Sequence, residues 1–237
     1  MIKFALTFDD GPGPSTEALL NVLEAHGVRA TFFILGRNVE KPSWYGGTRS
    51  KARSLLKRAL EQGHVLGNHT YSHIYWCDEK AFAREVRRCD ALIENLYRYA
   101  KIPARSPIPF RLPFGSLPMG IVKKGKTVRL GPDPRLPYLA QMKRIHVDWT
   151  GIFGDWRTDV GRKKLFDQMI KHVNLISKKG KTAVFCLHDG SSDFDKDRNR
   201  ARRETTVSVV DRFLTYAKQK HWKSCVCSLE KNRIRWR

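Results

Sequence analysis

Residues 2–12 of the chain, IKFALTFDDGP, decide how the fold begins. The apolar run over residues 2–8 predicts a buried strand, and a Gly-Pro pair ends it. Two adjacent carboxylates, Asp9 and Asp10, stand at this end of the strand, where parallel α/β folds place their functional groups. Taken alone, Asp-Asp-Gly-Pro is more typical of a plain turn, so its interpretation depends on the rest of the chain.

Strand and helix patterns alternate along the remaining chain. Strands are predicted over residues 29–35, 63–67, 144–149, 183–187 and 223–229, and helices over residues 16–26, 50–62, 79–99, 160–177 and 205–220. Residues 102–137 are rich in proline and are predicted to be mostly loop and turn. The alternation predicts an α/β fold whose parallel sheet closes as an irregular, TIM-like (β/α) barrel of seven strands. We expect residues 1–237 to form a single domain.

Composition limits the classes of protein to which the chain belongs. With 237 residues, of which 41% are hydrophobic, it is long enough to bury a core. No stretch of about 18 apolar residues is present, so we expect no transmembrane segment. The first residues run directly into the acidic motif and do not resemble a cleaved signal peptide. We therefore expect a cytoplasmic protein, or an extracytoplasmic one if an export segment has been removed.

The charge balance is extreme, because 45 basic residues against 23 acidic ones give a formal net charge of +22. Nucleic acid, anionic lipid and acidic polymers are therefore candidate partners. The basic residues are spread along the chain, with one dense run at residues 198–203 inside a polar stretch, 191–204, that is predicted to be a loop. Because charge alone is not a reading motif, we expect no obligatory nucleic acid partner. A solvated basic surface that aids solubility explains the charge equally well.

A second motif, GNHTYSH at residues 67–73, carries two imidazoles. His69 and His73 stand four residues apart, one helical turn, so both can reach one ion. Together with one of the two carboxylates they form a facial ligand set with open positions, as a water-activating metal requires. The other carboxylate then remains available as a base. Isolated His-x3-His pairs also occur as capping or core histidines, so the combination with the acidic motif carries the argument.

The motifs resemble those of the NodB-homology polysaccharide deacetylases, carbohydrate esterase family four. Residues 7–12 (TFDDGP) and 67–73 (GNHTYSH) match the first two motifs of that family outright. The other three family motifs resemble residues 111–115 (RLPFG, with Phe where Tyr is usual), 155–156 (DW) and 187–189 (LHD). All five occur in the family's order, and the resemblance covers nearly the whole chain.

The resemblance implies a metal site and an acid–base pair. It makes Asp10, His69 and His73 the metal ligands, with Zn²⁺ as the expected ion and Co²⁺, Ni²⁺ or Mn²⁺ as compatible ones. It makes Asp9 the general base and His188, at the end of a predicted strand, the general acid.

Further assignments follow from the same resemblance. Arg111 is expected to pair with Asp9, and Asp155 is expected to pair with His188 and favour its protonated form. The backbone N–H of Phe114 is expected to hold the oxyanion together with the metal. Three apolar side chains are expected either to wall a small pocket for the acetyl methyl group or to be plain core: Trp156, Phe185 and Leu187.

The implied activity is metal-dependent removal of N-acetyl groups from N-acetylhexosamine units of a glycan, such as peptidoglycan or chitin oligosaccharide, with release of acetate. The expected partner is that glycan, and the net charge of +22 would favour an anionic one. Residues 116–143 are longer and more basic than the family pattern, and we expect them to shape the substrate groove. The sequence leaves the oligomeric state open.

Two alternatives remain open at this point. One is the same chemistry on a small or lipid-linked amide. The other is a basic protein that binds a glycan or nucleic acid on an inactive deacetylase scaffold. The intact acidic and histidine motifs argue against the second, because binding alone does not require them.

Overall fold

A parallel sheet with helices packed against it forms the centre of the molecule. The structure is a computed structural model, and it describes residues 1–42, 47–75, 78–104, 107–116, 119–123, 126–131, 133–191, 200–230 and 233–236. The strands are β1 (Lys3–Gly11), β2 (Thr31–Ile34), β3 (Val65–Asn68), β4 (Met119–Lys123), β5 (Lys126–Gly131), β6 (Gly151–Ile152), β7 (Ala183–His188), β8 (Lys223–Cys225), β9 (Cys227–Glu230) and β10 (Arg233–Trp236). The helices are α1 (Thr16–Ala25), α2 (Gly36–Glu40), α3 (Arg49–Glu61), α4 (Glu79–Tyr99), α5 (Arg135–Gln141), α6 (Arg162–Ser177) and α7 (Arg200–Gln219).

The apolar strand β1 lies in the middle of the main sheet. The sheet runs in the order β3-β2-β1-β7-β6, and β8 pairs with the first residues of β1. All of these pairs are parallel. After Lys3 every residue of β1 is buried, as expected for a strand covered on both faces. Parallel pairing brings the carboxyl ends of the strands to one edge of the sheet.

The segment 146–152 joins the two edges of this sheet. A parallel bridge links His146 to Phe110, which in turn bridges to the end of β3. A few residues later β6 pairs with β7. The sheet is thereby closed into an irregular barrel, which confirms the predicted class of fold. Among the described residues the sheet contains six strands, where the sequence predicts seven, and residues 144–149 contribute a single bridge at His146 in place of a strand.

Two further stretches differ from the predicted secondary structure. About half of the described residues of 102–137 are loop and turn, but this stretch also contains the antiparallel hairpin of β4 and β5 and the start of α5, which the proline content did not predict. Proline is compatible with α5 because Pro134 caps it and Pro137 lies in its first turn, where backbone N–H groups lack intrahelical partners. Residues 223–229 form two strands instead of one, since β8 pairs with β1 and β9 pairs with β10.

The polar stretch 191–204 is only partly a loop. Helix α7 begins at Arg200, five residues earlier than predicted. Residues 192–199, which include the start of the dense basic run at Arg198, lie outside the described residues. Of the other helices, α4 has the predicted bounds, and α1, α3 and α6 lie within two residues of theirs.

Alternate residues of the strands divide the interior into two parts. Phe4, Leu6 and Phe8 of β1 point towards the helices and belong to the main hydrophobic core, to which α1, α3, α4, α6 and α7 contribute. The opposite face lines the barrel. Its lower part, which we call the floor, consists of apolar side chains from the strands, the closing segment and the β9–β10 hairpin: Ala5, Phe33, Val147, Trp149, Val184, Cys225, Cys227, Ile234 and Trp236. The polar site lies above this floor, at the carboxyl ends of the strands.

Candidate active site

The two acidic residues that end β1 reach the same site, although neighbours in a strand normally point to opposite faces. The register of β1 against β2 shifts after Asp9, so Asp10 is the extra residue of a bulge, with a φ of 67°. Asn38 Nδ2 donates to the Asp10 carbonyl at 2.7 Å, and Gly190 packs so closely on that carbonyl that a Cβ would lie 2.0 Å from the oxygen. His69 Nε2 consequently lies 3.8 Å from Asp9 Oδ2 and 3.5 Å from Asp10 Oδ1.

Asp10, His69 and His73 bring one carboxylate and two imidazoles to a single point. Asp10 Oδ1 lies 3.5 Å from His69 Nε2 and 3.3 Å from His73 Nε2, and all three residues are buried. His69 Nδ1 donates to the Arg111 carbonyl at 2.9 Å, which leaves Nε2 as the unprotonated nitrogen. Burial lowers the pKa of His69 to about 3 and also lowers the pKa of His73. Both imidazoles are therefore neutral near pH 7, the form that binds metals.

These three side chains fit a divalent cation. Asp10 Oδ1 is buried and makes no hydrogen bond within the part of the chain that the structure describes. Such an oxygen is unfavourable unless a cation or a water meets it. The three ligand atoms all lie within 4.8 Å of one another. Oxygen and nitrogen donors in this number leave open positions for substrate or water.

The spacing of the two histidines predicts one helical turn, but the structure places neither of them on a helix. They belong to a loop after β3 in which Thr70 and His73 have φ angles of 70° and 62°. Asn68 stabilises this loop, because its Oδ1 accepts from the Thr70 N–H at 2.7 Å and its Nδ2 donates to Asp90 at 2.7 Å. A polar loop anchored by a buried asparagine therefore brings the imidazoles together.

Arg111 is fully buried and pairs with Asp9, as predicted. Its Nη1 donates to Asp9 Oδ1 at 2.8 Å and to Thr7 Oγ1 at 2.6 Å, while its Nε donates to the Val147 carbonyl at 2.9 Å. Cys186 Sγ donates to the other carboxylate oxygen, Asp9 Oδ2, at 3.3 Å. Burial, and then the charge of Asp9, raise the pKa of this thiol well above its usual range, so it remains a donor. Asp9 is thus fixed in direction at both oxygens.

His188 lies beside Asp9 on the neighbouring strand and is held by Asp155. Asp9 and His188 are paired in the register of β1 and β7. His188 Nδ1 and Asp155 Oδ1 lie 2.9 Å apart, which confirms the predicted pair. Asp155 Oδ2 accepts from the His188 backbone N–H at 2.9 Å and from Thr206 Oγ1 at 2.8 Å. The ring is oriented through Nδ1, so proton transfer to a substrate would use Nε2.

Aromatic side chains surround the mouth of this site. The Phe114 ring lies 4.6 Å from the His73 ring and 5.3 Å from the Tyr75 ring. Phe114 and Tyr75 are 44% and 56% exposed, so both present apolar surface to solvent. On the other side the Trp156 ring meets the His188 ring edge to face at 4.7 Å. Trp156 therefore lies beside His188, and its role as a wall of the acetyl pocket stays a prediction.

Phe185 and Leu187 lie elsewhere, in the main hydrophobic core. Both are completely buried, and Phe185 packs edge to face on Phe213 of α7 at 5.4 Å. Their neighbours in β7, Cys186 and His188, face Asp9 and Asp155. Because successive side chains of a strand point to opposite faces, Phe185 and Leu187 point away from the site. The core alternative is the one observed for these two residues.

The amino-acid sequence matches the family described as polysaccharide deacetylase over residues 2–129, which is more than half of the chain. The protein belongs to the polysaccharide deacetylase family. Among its relatives, a peptidoglycan-N-acetylglucosamine deacetylase of Bacillus cereus is 32% identical over 160 residues, covering 66% of this chain and 50% of that protein. A chitooligosaccharide deacetylase of Rhizobium leguminosarum bv. trifolii is 38% identical over 91 residues, covering 37% of this chain and 38% of that protein. This deacetylase-family chain thus aligns with about half, or less, of each of these two relatives.

Solved structures of related proteins share the fold of this deacetylase-family chain. A family 4 carbohydrate esterase from Streptomyces lividans, in complex with acetate, superposes with a TM-score of 0.65 at 22% identity, covering 99% of this chain and 97% of that one. The likeness supports the barrel described above. Among the described residues of this family member, no helix is both long and apolar enough to span a membrane.

Sequence reasoning missed several residues of this deacetylase-family site. Thr7 and Asn68 stand inside the two quoted motifs, yet their support of Arg111 and of the histidine loop was not predicted. Cys186 was detectable, since it shares the face of His188 by strand alternation. Thr206 lies on α7, far along the chain from Asp155, and no local pattern predicts the hydrogen bond between these two side chains.

Proposed function

We propose that this protein is a metal-dependent N-deacetylase that acts on N-acetylhexosamine units of a glycan. One observation carries the proposal: a buried carboxylate fixed by arginine, an imidazole fixed by carboxylate and a group of three metal-type ligands lie together at one edge of the barrel. Each part has a separate use in amide hydrolysis. We also propose that residues 1–237 work as one catalytic domain, since its core combines residues from both ends of the chain.

Asp10, His69 and His73 are the proposed ligands, and Zn²⁺ is the proposed ion, with Co²⁺, Ni²⁺ or Mn²⁺ also suited to this donor set. A divalent ion held there would supply Lewis-acid polarisation of the acetamide carbonyl and a water that is more acidic than bulk water. The hydrogen bond from His69 Nδ1 to the Arg111 carbonyl supports this role, because it orients the ring and keeps Nε2 unprotonated.

Asp9 is the proposed general base. It takes a proton from the attacking water, while Arg111 on Oδ1 keeps the carboxylate in one orientation. His188 is the proposed general acid, which gives its proton to the departing amine. Asp155 orients this imidazole and stabilises its charged form. The products are acetate and a sugar with a free amino group.

The backbone N–H of Phe114 is the proposed donor to the oxyanion that forms on the acetyl oxygen. Its neighbourhood supports this role, because the Phe114 ring packs on His73, one of the proposed ligands. A phenyl ring serves as well as a phenol for this purpose, since the donor belongs to the backbone.

The proposed substrate is a glycan rich in N-acetylglucosamine. The relatives named for peptidoglycan and chitooligosaccharide deacetylation support this class. The exposed rings of Phe114 and Tyr75 offer flat apolar surface at the mouth of the site, and Trp156 lies on its other side beside His188. An anionic glycan would be attracted by the net charge of +22.

Acetate release by the zinc-loaded protein tests the proposal on four substrates: peptidoglycan, chitin oligosaccharide, an N-acetylated exopolysaccharide and lipid-linked N-acetylglucosamine. We expect release from at least one polymer or oligomer, and none from the matched His73→Ala variant. Tight binding without any release would indicate a binding protein on an inactive scaffold.

For an anionic substrate, KM should rise between about 0.1 and 1 M salt, where the Debye length falls from about 10 to 3 Å. Equal salt dependence for a neutral oligomer would leave solubility as the use of the charge.

A further inference from the structure

A buried ion pair lies beneath the loop that carries Phe114. Asp133 and Arg135 are 3% and 4% exposed. Arg135 Nη2 donates to Asp133 Oδ2 at 2.6 Å, and its Nε and backbone N–H donate to Asp133 Oδ1 at 3.0 and 2.9 Å. The family match ends at residue 129, so this pair lies outside the matched residues.

The same guanidinium holds the backbone on both sides of Phe114. Arg135 Nη1 donates to the Pro113 carbonyl at 2.8 Å, and Nη2 donates to the Gly115 carbonyl at 2.8 Å. Asp133 fixes the plane of the guanidinium, and the rigid fork then meets two carbonyl oxygens at a set separation. A lysine ammonium cannot reproduce this arrangement, because it has no planar fork.

The backbone that is held in this way is an unfavourable one. Phe114 has a φ of 64° and Gly115 a φ of 74°, and a bulky residue in the left-handed region persists only where its surroundings impose it. Gly115 is also pressed against Trp149, since a Cβ there would lie 2.3 Å from the indole. The Arg135 guanidinium lies 5.3 Å from the Tyr75 ring, which in turn contacts Phe114.

We propose that Asp133 and Arg135 are positioning residues that set the direction of the Phe114 N–H towards the reacting acetyl group. The inference rests on the proposed function, in which that N–H holds the oxyanion. The direction of a peptide N–H depends on the peptide plane that joins Pro113 to Phe114, and Arg135 holds the carbonyl oxygen of this plane. A donor that turns away by a small angle loses its contact with the transition state while the substrate still binds.

Steady-state kinetics of Arg135→Gln, Arg135→Lys and Asp133→Asn test the proposal, and kcat should fall in Asp133→Asn as in Arg135→Gln, because Asp133 fixes the guanidinium. We expect kcat to fall roughly 10–10²-fold in Arg135→Gln, with KM within about twofold of the wild type, because the lost interaction belongs to the transition state. Arg135→Lys should resemble Arg135→Gln, since charge without the fork does not hold two carbonyls. Phe213→Leu, a change in the main core, is the control for stability: it should lower the melting temperature and leave kcat at 25 °C unchanged.

Amide hydrogen exchange at Phe114 and Gly115 separates this inference from the proposed function. Exchange there should accelerate in Arg135→Gln and not in Phe213→Leu, whether or not acetate is released. If the wild type releases no acetate from any glycan, the proposed function fails, and the exchange data still decide whether the pair holds the loop. Unchanged exchange in Arg135→Gln, or a wild-type kcat in that variant, would overturn the inference.

Discussion

Asp9 and Asp10 acquire different surroundings although they are neighbours in one strand. The bulge at Asp10 brings both carboxylates to one side, where Asp9 receives Arg111 and Cys186 while Asp10 Oδ1 meets two imidazoles. A carboxylate fixed at both oxygens suits a base, and an oxygen beside two neutral imidazoles suits a metal ligand. The sequence predicts two carboxylates at a strand end, but only the resemblance to a family indicates which one is the base and which one the metal ligand. The bulge that separates them depends on pairing with the neighbouring strand, which the local sequence does not contain.

The hydrogen bond from Thr206 to Asp155 can be tested by a single substitution. Thr206→Val removes the hydroxyl that donates to Asp155 and keeps the shape of the side chain. We expect kcat to fall about 3–10-fold, since a typical hydrogen bond contributes roughly 1 kcal/mol and Asp155 orients His188. The measurement is acetate release at substrate saturation. Thr215→Val, which removes an exposed hydroxyl from the same helix, should change nothing. An equal loss in both variants would exclude a specific role for Thr206.

A substitution of His69 tests the proposed metal site. His69→Ala should abolish stable binding of zinc, because a site with three protein ligands tolerates the loss of few of them. Elemental analysis after dialysis against metal-free buffer measures the bound ion without reference to activity. His26→Ala, which removes an imidazole paired with Asp211 far along the chain, is the matched control and should retain the ion. Full occupancy in His69→Ala would refute the ligand assignment.

At the scale of single elements, strand alternation explains both a success and an error. The apolar run over residues 183–187 predicts β7 and places His188 at its carboxyl end. Phe185 and Leu187 were considered as pocket walls, yet a period of two puts them on the opposite face from His188. This alternation can be read from the sequence alone. The β4–β5 hairpin, in contrast, lies in a stretch whose proline content predicts loop, so its pairing was not predicted.

His64, which precedes β3, should make stability depend on pH. Its Nδ1 accepts the Ala30 N–H at 3.0 Å, and burial, with Arg29 nearby, lowers its pKa to about 4. Below pH 6.5 the unfolded chain binds a proton that the folded chain does not, so the free energy of unfolding falls as pH falls towards 4. Between pH 7 and 5 this residue should account for roughly 2 kcal/mol of that loss.

Chemical denaturation of wild type and His64→Asn at pH 7 and pH 5 measures this contribution. Asparagine keeps an acceptor for the Ala30 N–H and does not titrate, so the variant should lose less stability on acidification. The other buried histidines are common to both proteins and cancel in the comparison. Identical losses would mean that His64 takes up its proton without disturbing the folded state.

At the scale of the whole molecule, closure of the barrel depends on contacts between distant parts of the chain. The alternation of strands and helices was sufficient to predict a parallel α/β barrel, because each element has its own pattern. Strand patterns are present at residues 144–149 and 223–229, but they do not predict that segment 146–152 touches both edges of the sheet or that β9 pairs with β10 in the floor. These positions depend on contacts with distant parts of the chain, which a local pattern does not contain.

Trp236 should contribute to stability and not to catalysis. It packs in the floor against two buried clusters, one that contains Val184 and one that contains Phe33. Trp236→Ala should lower the free energy of unfolding by about 2–3 kcal/mol, less than a fully buried tryptophan, since this side chain is partly exposed. Denaturant titration provides the measurement, with the exposed Leu175→Ala as a near-neutral control. A loss of kcat without a loss of stability would contradict this placement.

The central claim is that Asp9 acts as a base beside a metal held by Asp10, His69 and His73. Acetate release from an N-acetylglucosamine oligomer, measured side by side for zinc-loaded wild type and Asp9→Asn, tests it most directly. The account predicts that both proteins bind one zinc ion and that Asp9→Asn releases acetate roughly 10²–10⁴-fold more slowly than the wild type. An Asp9→Asn variant that releases acetate at the wild-type rate, or a zinc-loaded wild type that releases none, would contradict the account.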